Sequence, residues 1–224
     1  MISNLVILPT RSRPDKAEEA VVLLKENSVI SDICIAIDDD QSDLYPRIDG
    51  VIYEVNPRLR MNGTLNLVAN KYADKYETIF FLGDDHRVRT PGWDELLYEP
   101  IKERGYGLAY GDDRLQGRNL ATAVMMSTNI IRIIGYMAPP KLIHLYMDNF
   151  WMNLGQALQC INYKSNVVVE HMHYLAGKAE VDDQYLDVNS DEMYQKDKET
   201  YIEYVQTDLK YDLEHLIVGL GVGR

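Results

Sequence analysis

Cysteine is scarce in this sequence. Its 224 residues include two cysteines, Cys34 in an apolar run and Cys160 near an amphipathic segment. Two cysteines are too few for a disulfide framework, and their spacing does not match a metal-ligand motif. We therefore predict two buried free thiols in a protein of a reducing compartment.

Long apolar runs are also missing. No window approaches the roughly 18 apolar residues that a membrane-spanning helix requires, and the first residues lack the basic and apolar regions of a signal peptide. Hydrophobic residues still make up 46% of the chain, which is typical of a globular protein. These features predict a soluble, cytoplasmic protein with no membrane partner.

Positive charge is in short supply. The chain has 23 lysines and arginines against 35 acidic residues, and its net charge is −12. A protein without a global basic field does not recruit nucleic acid or anionic membranes nonspecifically. A local basic rim remains compatible with this composition, and Arg114, Arg118 and Lys141 are its candidates.

Glycine-rich phosphate-binding loops are absent as well. Neither GxGxxG nor GxxxxGKS/T occurs, which argues against dinucleotide and P-loop binding. Tyr110 to Asp113 spell the YGDD of viral RNA polymerases, but a polymerase needs several hundred residues and a basic nucleic-acid channel. We interpret Asp112 and Asp113 as the start of a loop at the edge of a site, where they would touch an acceptor.

Strand-like and helical segments alternate along most of the chain. Apolar runs at 4–8, 33–37, 51–55 and 79–82 are separated by helical segments that start near Pro14 and Asn62. This order predicts an α/β fold with a mostly parallel central sheet flanked by helices.

The C-terminal region has a different pattern. From Ser190 onward, Tyr201, Val205, Leu209, Leu213 and Leu216 recur every three or four residues, which predicts an amphipathic helix. We divide the chain into a catalytic domain at 1–177 and a helical extension at 178–224. The extension is expected to pack on that domain or on a partner chain, where it would build a homo-oligomer.

The most informative stretch is IFFLGDDHRVRTPGWD, residues 79–94. An apolar run reads as a buried strand, and Gly83 allows a turn at its carboxyl end, where open α/β sheets bind ligands. Asp84, Asp85 and His86 therefore follow the strand directly. A carboxylate with an adjacent imidazole suits Mn²⁺ better than Mg²⁺, although a solvated acidic turn has the same composition.

Two other strand ends carry polar groups. Pro9, Thr10 and Arg11 follow the first predicted strand, and Asp38 to Asp40 follow the second. Backbone amides, a hydroxyl and a guanidinium could meet a nucleotide, and a carboxylate could accept a hydrogen bond from a base or a ribose. Exposed surface loops would give the same pattern.

The later part of the chain supplies an acid and two histidines. Asp148 lies beside Trp151 and other bulky side chains, so burial would raise its pKa toward the range of a general base. His171 and His173 follow a late strand, and one of them could complete a metal site. A zinc hydrolase would need a third clear ligand and a nearby base.

Taken together, these stretches resemble the nucleotide-sugar-dependent glycosyltransferases of the GT-A fold, family 2-like. The resemblance lies in the order of ILPTRSRPD, IAIDDD, MNGTLNLVAN and FLGDDHRVRTPGWD, followed by a late acid and a late histidine. The chain is also similar to phage-encoded glycosyltransferases, some of which decorate modified bases in DNA.

The resemblance implies a role for each matching residue. Pro9, Thr10 and Arg11 would line the nucleotide, Asp38, Asp39 or Asp40 would hold the base or ribose, and Arg60 and Asn62 would lie near the pyrophosphate. Asp84 would reach the ribose or the metal. Asp85, His86 and His171 would hold Mn²⁺ or Mg²⁺, and Asp148 would be the general base. Family members usually have a third acid where His86 stands, so either Asp85 or His86 contacts the ion.

The implied function is metal-dependent transfer of a sugar, of the hexosyltransferase type. The donor would be a nucleoside-diphosphate sugar such as a UDP-sugar, and the acceptor a hydroxyl, with a modified base in DNA as one candidate. Asp112, Asp113 and Trp151 are assigned to the acceptor region. A nucleotidyltransferase and a non-catalytic nucleotide-sugar or carbohydrate-binding module remain the alternatives; a nucleotidyltransferase would be expected to have a Gly-rich, Lys-containing first loop.

Overall fold

A computed structural model describes residues 3–173, 177–178, 186, 188 and 190–222. The strands are β1 (Asn4–Thr10), β2 (Ser31–Asp38), β3 (Val51–Asn56), β4 (Thr78–Phe81), β5 (His86–Val88), β6 (Leu108–Asp112), β7 (Val124–Ser127) and β8 (Ile161–His171). The α-helices are α1 (Pro14–Asn27), α2 (Arg60–Tyr72), α3 (Trp93–Arg104), α4 (Thr128–Ile134), α5 (Met147–Ala157) and α6 (Asp191–Leu220). Short 3₁₀ turns lie at Asp39–Leu44 and Gly117–Asn119.

The eight strands form one sheet in the order β3-β2-β1-β4-β7-β6-β8-β5. The four strands from β3 to β4 are mutually parallel, and β6 is parallel to β8. Strands β7 and β5 run antiparallel to their neighbours. The predicted α/β fold with a mostly parallel sheet is confirmed.

The sheet curls between its centre and one edge. Strand β4 ends at Phe81 in the middle of the sheet, and β5 begins at His86 as the outermost strand beside β8. A four-residue connection can reach the edge because the intervening strands curve back toward β4. The sequence did not predict β5, since three residues carry too little periodicity to identify a strand.

Two hydrophobic layers cover the faces of the sheet, and adjacent residues of β4 point into opposite layers. Phe80 packs on Trp93 of α3 with ring centroids 4.4 Å apart, whereas Phe81 packs on Trp151 of α5 at 5.3 Å. Both tryptophans are completely buried. Cys34 and Cys160 are buried free thiols, as predicted.

Helix α6 packs on the layer that contains α4 and α5. Its first turn is capped by Ser190, whose hydroxyl accepts a hydrogen bond from the backbone N–H of Met193. Tyr201, Tyr204 and Leu216 are buried in this layer. The predicted stripe is wrong at Val205, which is 38% exposed, because Tyr204 takes the inward position one residue earlier.

None of the helices formed by the described residues combines the length and the apolar character needed to cross a bilayer. The division at residue 177 stays a prediction, and part of the 178–224 segment lies outside the described residues.

Candidate active site

The carboxyl ends of β1, β2 and β4 surround a cavity of about 300 Å³. The sequence-predicted residues that line this cavity are Pro9, Thr10, Arg11, Asp38, Arg60, Asp84, Asp85, Asp148 and His171. They come from segments scattered over most of the chain, and the fold collects them at one edge of the sheet, as expected for parallel strands.

Acidic residues after β2 meet an arginine from the loop after β1. Arg11 donates to Asp38 at 2.6 Å and forms two hydrogen bonds to Asp40, at 2.7 and 2.8 Å. The bonds from Arg11 lower the pKa of Asp40. Asp39 is exposed and lies outside the cavity lining. This side of the cavity therefore offers a carboxylate and a guanidinium next to each other, which suits the edge of a nucleobase or a ribose.

Asp84 is the central acid of the cavity floor. Its carboxylate accepts a 2.8 Å hydrogen bond from the Thr10 hydroxyl and a 3.1 Å bond from the Arg13 guanidinium. Burial and the neighbouring charge of Asp85 raise the pKa of Asp84 to about 6. Thr10 is itself positioned by the Tyr45 hydroxyl at 3.1 Å. Asp84 is thus fixed in place by the loop that follows β1.

A potential metal-binding group lies next to Asp84. Asp85 contacts both rings: one carboxylate oxygen lies 3.0 Å from His86 Nδ1 and the other 3.3 Å from His171 Nε2. The two imidazoles stack with centroids 4.2 Å apart. One ligand atom from each residue lies within 4.8 Å of the others. These distances would allow the three side chains to share a divalent cation.

Strand pairing explains how these histidines meet. His86 of β5 lies directly opposite His171 of β8 in an antiparallel pair, where side chains on the same face come close together. The Asp113 carbonyl accepts from the His171 N–H, and the Asp85 carbonyl accepts from the Met172 N–H, at 2.9 and 2.8 Å. The backbone N–H of His86 donates to the Gly83 carbonyl at 3.0 Å, so backbone bonds position both histidines.

The side-chain environment fits a metal. Nε2 of His86 and Nδ1 of His171 are buried and have no hydrogen-bond partner among the described residues, and buried polar atoms usually have a partner. The only near neighbour described for the other buried nitrogen of His86, Nδ1, is the Asp85 carboxylate at 3.0 Å. Burial, followed by the charge of His171, lowers the pKa of His86 and favours the neutral ring that binds metals. Burial opposes ionisation of Asp85, but bonds to His171 and His86 outweigh it and lower its pKa.

Arg87 fixes the backbone of the turn that carries the metal-binding group. It is 3% exposed and donates from Nη1 to the carbonyls of Asp84 and His86, both at 2.8 Å. Its other terminal nitrogen bonds Glu19 of α1 at 2.7 Å. A single guanidinium thus holds two carbonyls of the turn and ties it to a neighbouring helix.

Replacing Arg87 by Met should leave two buried carbonyls without this donor. We expect Arg87→Met to lower the free energy of unfolding by about 2 kcal/mol or more, since bonds to charged groups contribute about 1.5–3 kcal/mol. Denaturant titration measures this change. Arg89→Met is the matched control, because Arg89 is 42% exposed and pairs with Glu170; an equal loss in both variants would refute the assigned role.

Asp148 lies in the first turn of α5 and lines the cavity. Burial raises its pKa. The residue before the helix, Tyr146, has a left-handed conformation with φ of 65°. This turn redirects the chain so that the first turn of α5 opens onto the cavity.

Several of the predicted site residues do not line the cavity. Trp151 is in the core, where its ring nitrogen donates to the Met137 carbonyl at 2.8 Å. Asn62 is completely buried, and its N–H bonds the Ile143 carbonyl. Asp112 pairs with Arg114 at 3.1 Å. His86 is 3% exposed and lies beneath the cavity lining.

Asp113 is also buried, and its carboxylate organises a loop. It accepts hydrogen bonds from the backbone N–H groups of Leu115, Gln116 and Gly117 and from the Thr122 hydroxyl. Burial opposes ionisation, but these four donors outweigh it and lower the pKa of Asp113. In this structure its carboxylate binds the loop rather than the cavity.

Sequence reasoning missed several lining residues. The most informative are Arg13, Arg58, Thr64 and His144, and His173, the other histidine considered for the metal site, also lies in the lining. Arg13 and Arg58 follow strand ends and could have been found by the rule that identified Arg11. His144 lies in an irregular segment without such a signal; burial lowers its pKa to about 4, so its ring is neutral near pH 7.

No family model and no curated protein sequence matches the chain. A mannosyltransferase from Pyrobaculum calidifontis, in complex with GDP-Man and Mn²⁺, is similar in structure. Its TM-score is 0.57 at 10% identity, over 97% of this chain and 74% of that one.

TarS of S. aureus has a TM-score of 0.56 at 13% identity, over 75% of this chain. The match spans 36% of that TarS chain. A CMP:2-keto-3-deoxy-manno-octonic acid synthetase complexed with CTP has a TM-score of 0.52 at 9% identity, over 74% of this chain and 90% of that one. This chain has a GT-A-like fold. At such low identities, the likenesses establish the fold alone.

In this GT-A-like fold, the cavity occupies the carboxyl edge of the parallel strands. Polar groups of its lining include the Arg11–Asp38 pair, Asp84, the Asp85 and His171 members of the metal-binding group, and Asp148. The fold prediction based on the family resemblance is confirmed.

Proposed function

We propose that the protein is a metal-dependent glycosyltransferase that moves a sugar from a UDP-sugar to an acceptor hydroxyl with inversion. The observation that carries this proposal is the arrangement of the cavity. It opens onto a nucleotide-type region at Arg11 and Asp38, a metal-binding group that includes Asp85, and a half-buried acid, Asp148.

In the proposed complex, Pro9, Thr10, Arg11 and Asp38 bind the nucleoside, and Arg60 lies near the diphosphate. Asp85 and His171 would hold the cation together with His86. A bound Mn²⁺ or Mg²⁺ supplies positive charge that stabilises the leaving diphosphate. The neutral form of His86 and the ionised form of Asp85 are the ligand states that this role requires.

Asp148 is proposed as the general base. The acceptor oxygen attacks the anomeric carbon and forms the new C–O bond while the bond to the diphosphate oxygen breaks. The hydroxyl proton passes to Asp148, and the electron pair of the broken bond leaves with the nucleoside diphosphate. A pKa raised by burial makes the carboxylate a stronger base than an exposed aspartate.

A nucleotidyltransferase is the second candidate, and the similarity to a synthetase complexed with CTP favours it. The loop after β1, PTRSRPD, lacks the glycines and lysine expected for that chemistry. The products distinguish the two reactions: a glycosyltransferase releases a nucleoside diphosphate, whereas a nucleotidyltransferase that consumes a nucleoside triphosphate releases pyrophosphate. A non-catalytic binding module would release neither.

The donor can be identified by thermal shift with UDP- and GDP-sugars in the presence of Mn²⁺. A ligand at 100 times its dissociation constant adds about 2.7 kcal/mol of stability, so the correct donor should raise the Tm clearly more than its competitors. Withholding Mn²⁺ should remove most of that increase. A full panel without a Mn²⁺-dependent shift would count against the proposed function.

The acceptor can then be sought with the identified donor. Release of nucleoside diphosphate is measured against a panel of hydroxyl compounds that includes DNA with hydroxyl-bearing modified bases, the acceptor suggested by the phage-type resemblance. DNA that fails to accelerate release, while another hydroxyl compound succeeds, would remove the DNA hypothesis and leave the glycosyltransferase proposal intact.

A further inference from the structure

One wall of the cavity is an irregular backbone segment that contains His144 and Leu145, both lining residues. The segment leads directly into α5, where Asp148 lies in the first turn. Irregular backbone has no repeating hydrogen bonds of its own, so its shape depends on bonds to neighbouring elements. The groups that hold this segment therefore determine where His144 and Asp148 lie.

The main partner of the segment is Asp197 of α6. Its carboxylate accepts hydrogen bonds from three consecutive backbone N–H groups, those of Ile143, His144 and Leu145, at 3.0, 2.8 and 2.7 Å. Asp197 is completely buried. Hydrogen bonds to a buried carboxylate are among the stronger ones in proteins. Here the segment donates the N–H groups, and α6, more than 40 residues later in the chain, supplies the carboxylate.

Helix α2 holds the preceding part of the same segment. Two asparagine side chains four residues apart contact its backbone: Asn70 bonds Gly135, and Asn66 bonds Met137 and Ala138. One turn earlier on α2, the backbone N–H of Asn62 donates to the Ile143 carbonyl. Residues four apart lie on one face of a helix. The segment is thus fastened by α2 up to Ile143 and by Asp197 from Ile143 onward.

We propose that Asp197 is a positioning residue for sugar transfer. It holds the Ile143–Leu145 backbone so that His144 and Asp148 face the reacting sugar. This inference rests on the proposed function, because Asp148 is taken as the base. It makes α6 part of the catalytic apparatus, and Val188, from the segment that precedes α6, also lines the cavity.

Charge is central to this role. Three N–H groups converge on one carboxylate, and a neutral amide of the same shape would turn a donor group toward them. In Asp197→Asn we therefore expect the segment to relax and the base to lose alignment. Misplacement of a reacting group by about 1 Å can cost about 100-fold in rate, so kcat should fall by about 10- to 100-fold. The nucleoside side of the cavity is built by other elements, so affinity for UDP with Mn²⁺ should not change.

The matched control is Asp212→Asn on the same helix. Asp212 accepts hydrogen bonds from the hydroxyls of Tyr204, at 2.5 Å, and Tyr136, so its bonds reach the start of the segment and not the lining residues His144 and Leu145. We expect Asp212→Asn to lower the Tm but to keep kcat. Asp197→Glu retains the carboxylate and should recover part of the kcat that Asp197→Asn loses. If Asp197→Asn fails to fold, kcat of Asp197→Glu is compared with that of the wild-type protein instead, and a kcat equal to that of the wild type then overturns the inference.

The measurements are kcat and KM with the donor selected by thermal shift, the dissociation constant of UDP with Mn²⁺, and amide hydrogen exchange at residues 143–145. Lower kcat, unchanged UDP affinity and faster exchange in Asp197→Asn alone would support the inference. Wild-type kcat in Asp197→Asn would overturn the inference only. If the wild-type protein is inactive with every sugar nucleotide, the proposed function is overturned, and the catalytic role of Asp197 is overturned with it. This holds even if amide hydrogen exchange shows that Asp197 holds the segment.

Discussion

Asp148→Asn should lower kcat for sugar transfer by about 10²- to 10⁴-fold, the range that a positioned general base contributes. The amide has the same shape as the carboxylate but cannot take the proton of the acceptor hydroxyl. Binding of UDP with Mn²⁺ should not change, because Arg11 and Asp38, the residues proposed to bind the nucleoside, belong to the β1 loop and to β2 and not to α5. Steady-state kinetics and calorimetry measure the two quantities separately.

The pH dependence gives the same residue an independent test. Burial raises the pKa of Asp148 above the ordinary value of about 3.9. The base must be ionised, so kcat should be constant at high pH and fall as the pH drops through that raised pKa. The acidic fall assigned to Asp148 should be absent from the residual rate of Asp148→Asn.

Asp15→Asn is the control for Asp148→Asn. Asp15 is also an acid in the first turn of a helix, but it is exposed and lies on α1 outside the cavity. It therefore accounts for any effect of removing a charge from a helix N-terminus. Near wild-type turnover in Asp148→Asn would remove Asp148 from the role of base.

Asp85→Ala should abolish the part of nucleotide affinity that depends on the metal. Asp85 contacts both His86 and His171, so its loss removes one ligand and the contact that orients the other two. Loss of an outer partner of a metal ligand alone costs about 10–100-fold in metal affinity, and loss of a ligand should cost more.

Calorimetry of UDP binding with and without Mn²⁺ measures the effect. Wild-type protein should bind UDP more tightly with Mn²⁺, and Asp85→Ala should bind it equally weakly in both conditions. Asp74→Ala serves as the control, because the Asp74 side chain is 89% exposed and lies outside the cavity. A Mn²⁺ effect that survives in Asp85→Ala would contradict the assignment of the metal-binding group.

The parts of this site that follow regular strands could be predicted from the sequence. Thr10, Asp38 and Asp84 each come after an apolar run, and parallel strands bring their carboxyl ends together. Long, strongly patterned elements such as α6 were also predictable. Local sequence was sufficient because each of these features depends on neighbouring residues.

The remaining features depend on contacts between distant segments. The three residues of β5 have no strand signal, so the pairing of His86 with His171 could not be derived from periodicity. Only the family resemblance predicted that both histidines belong to one metal site. Trp151 looked like an acceptor contact beside Asp148, yet its position on α5 directs its ring toward Phe81 in the core. Asp197 looked like one of many acids on an amphipathic helix.

The curl of the sheet has a consequence for the order of folding. Asp85 and His171 are 86 residues apart, and they meet only when β8, the last strand among the described residues, has paired with β5. Contacts of such large separation form late, because a long loop must close first. The earlier strands can assemble the nucleoside side of the cavity, but the cation ligands come together only near the end of folding. A nascent chain that has not yet added β8 would therefore be unable to assemble the three-residue ion site.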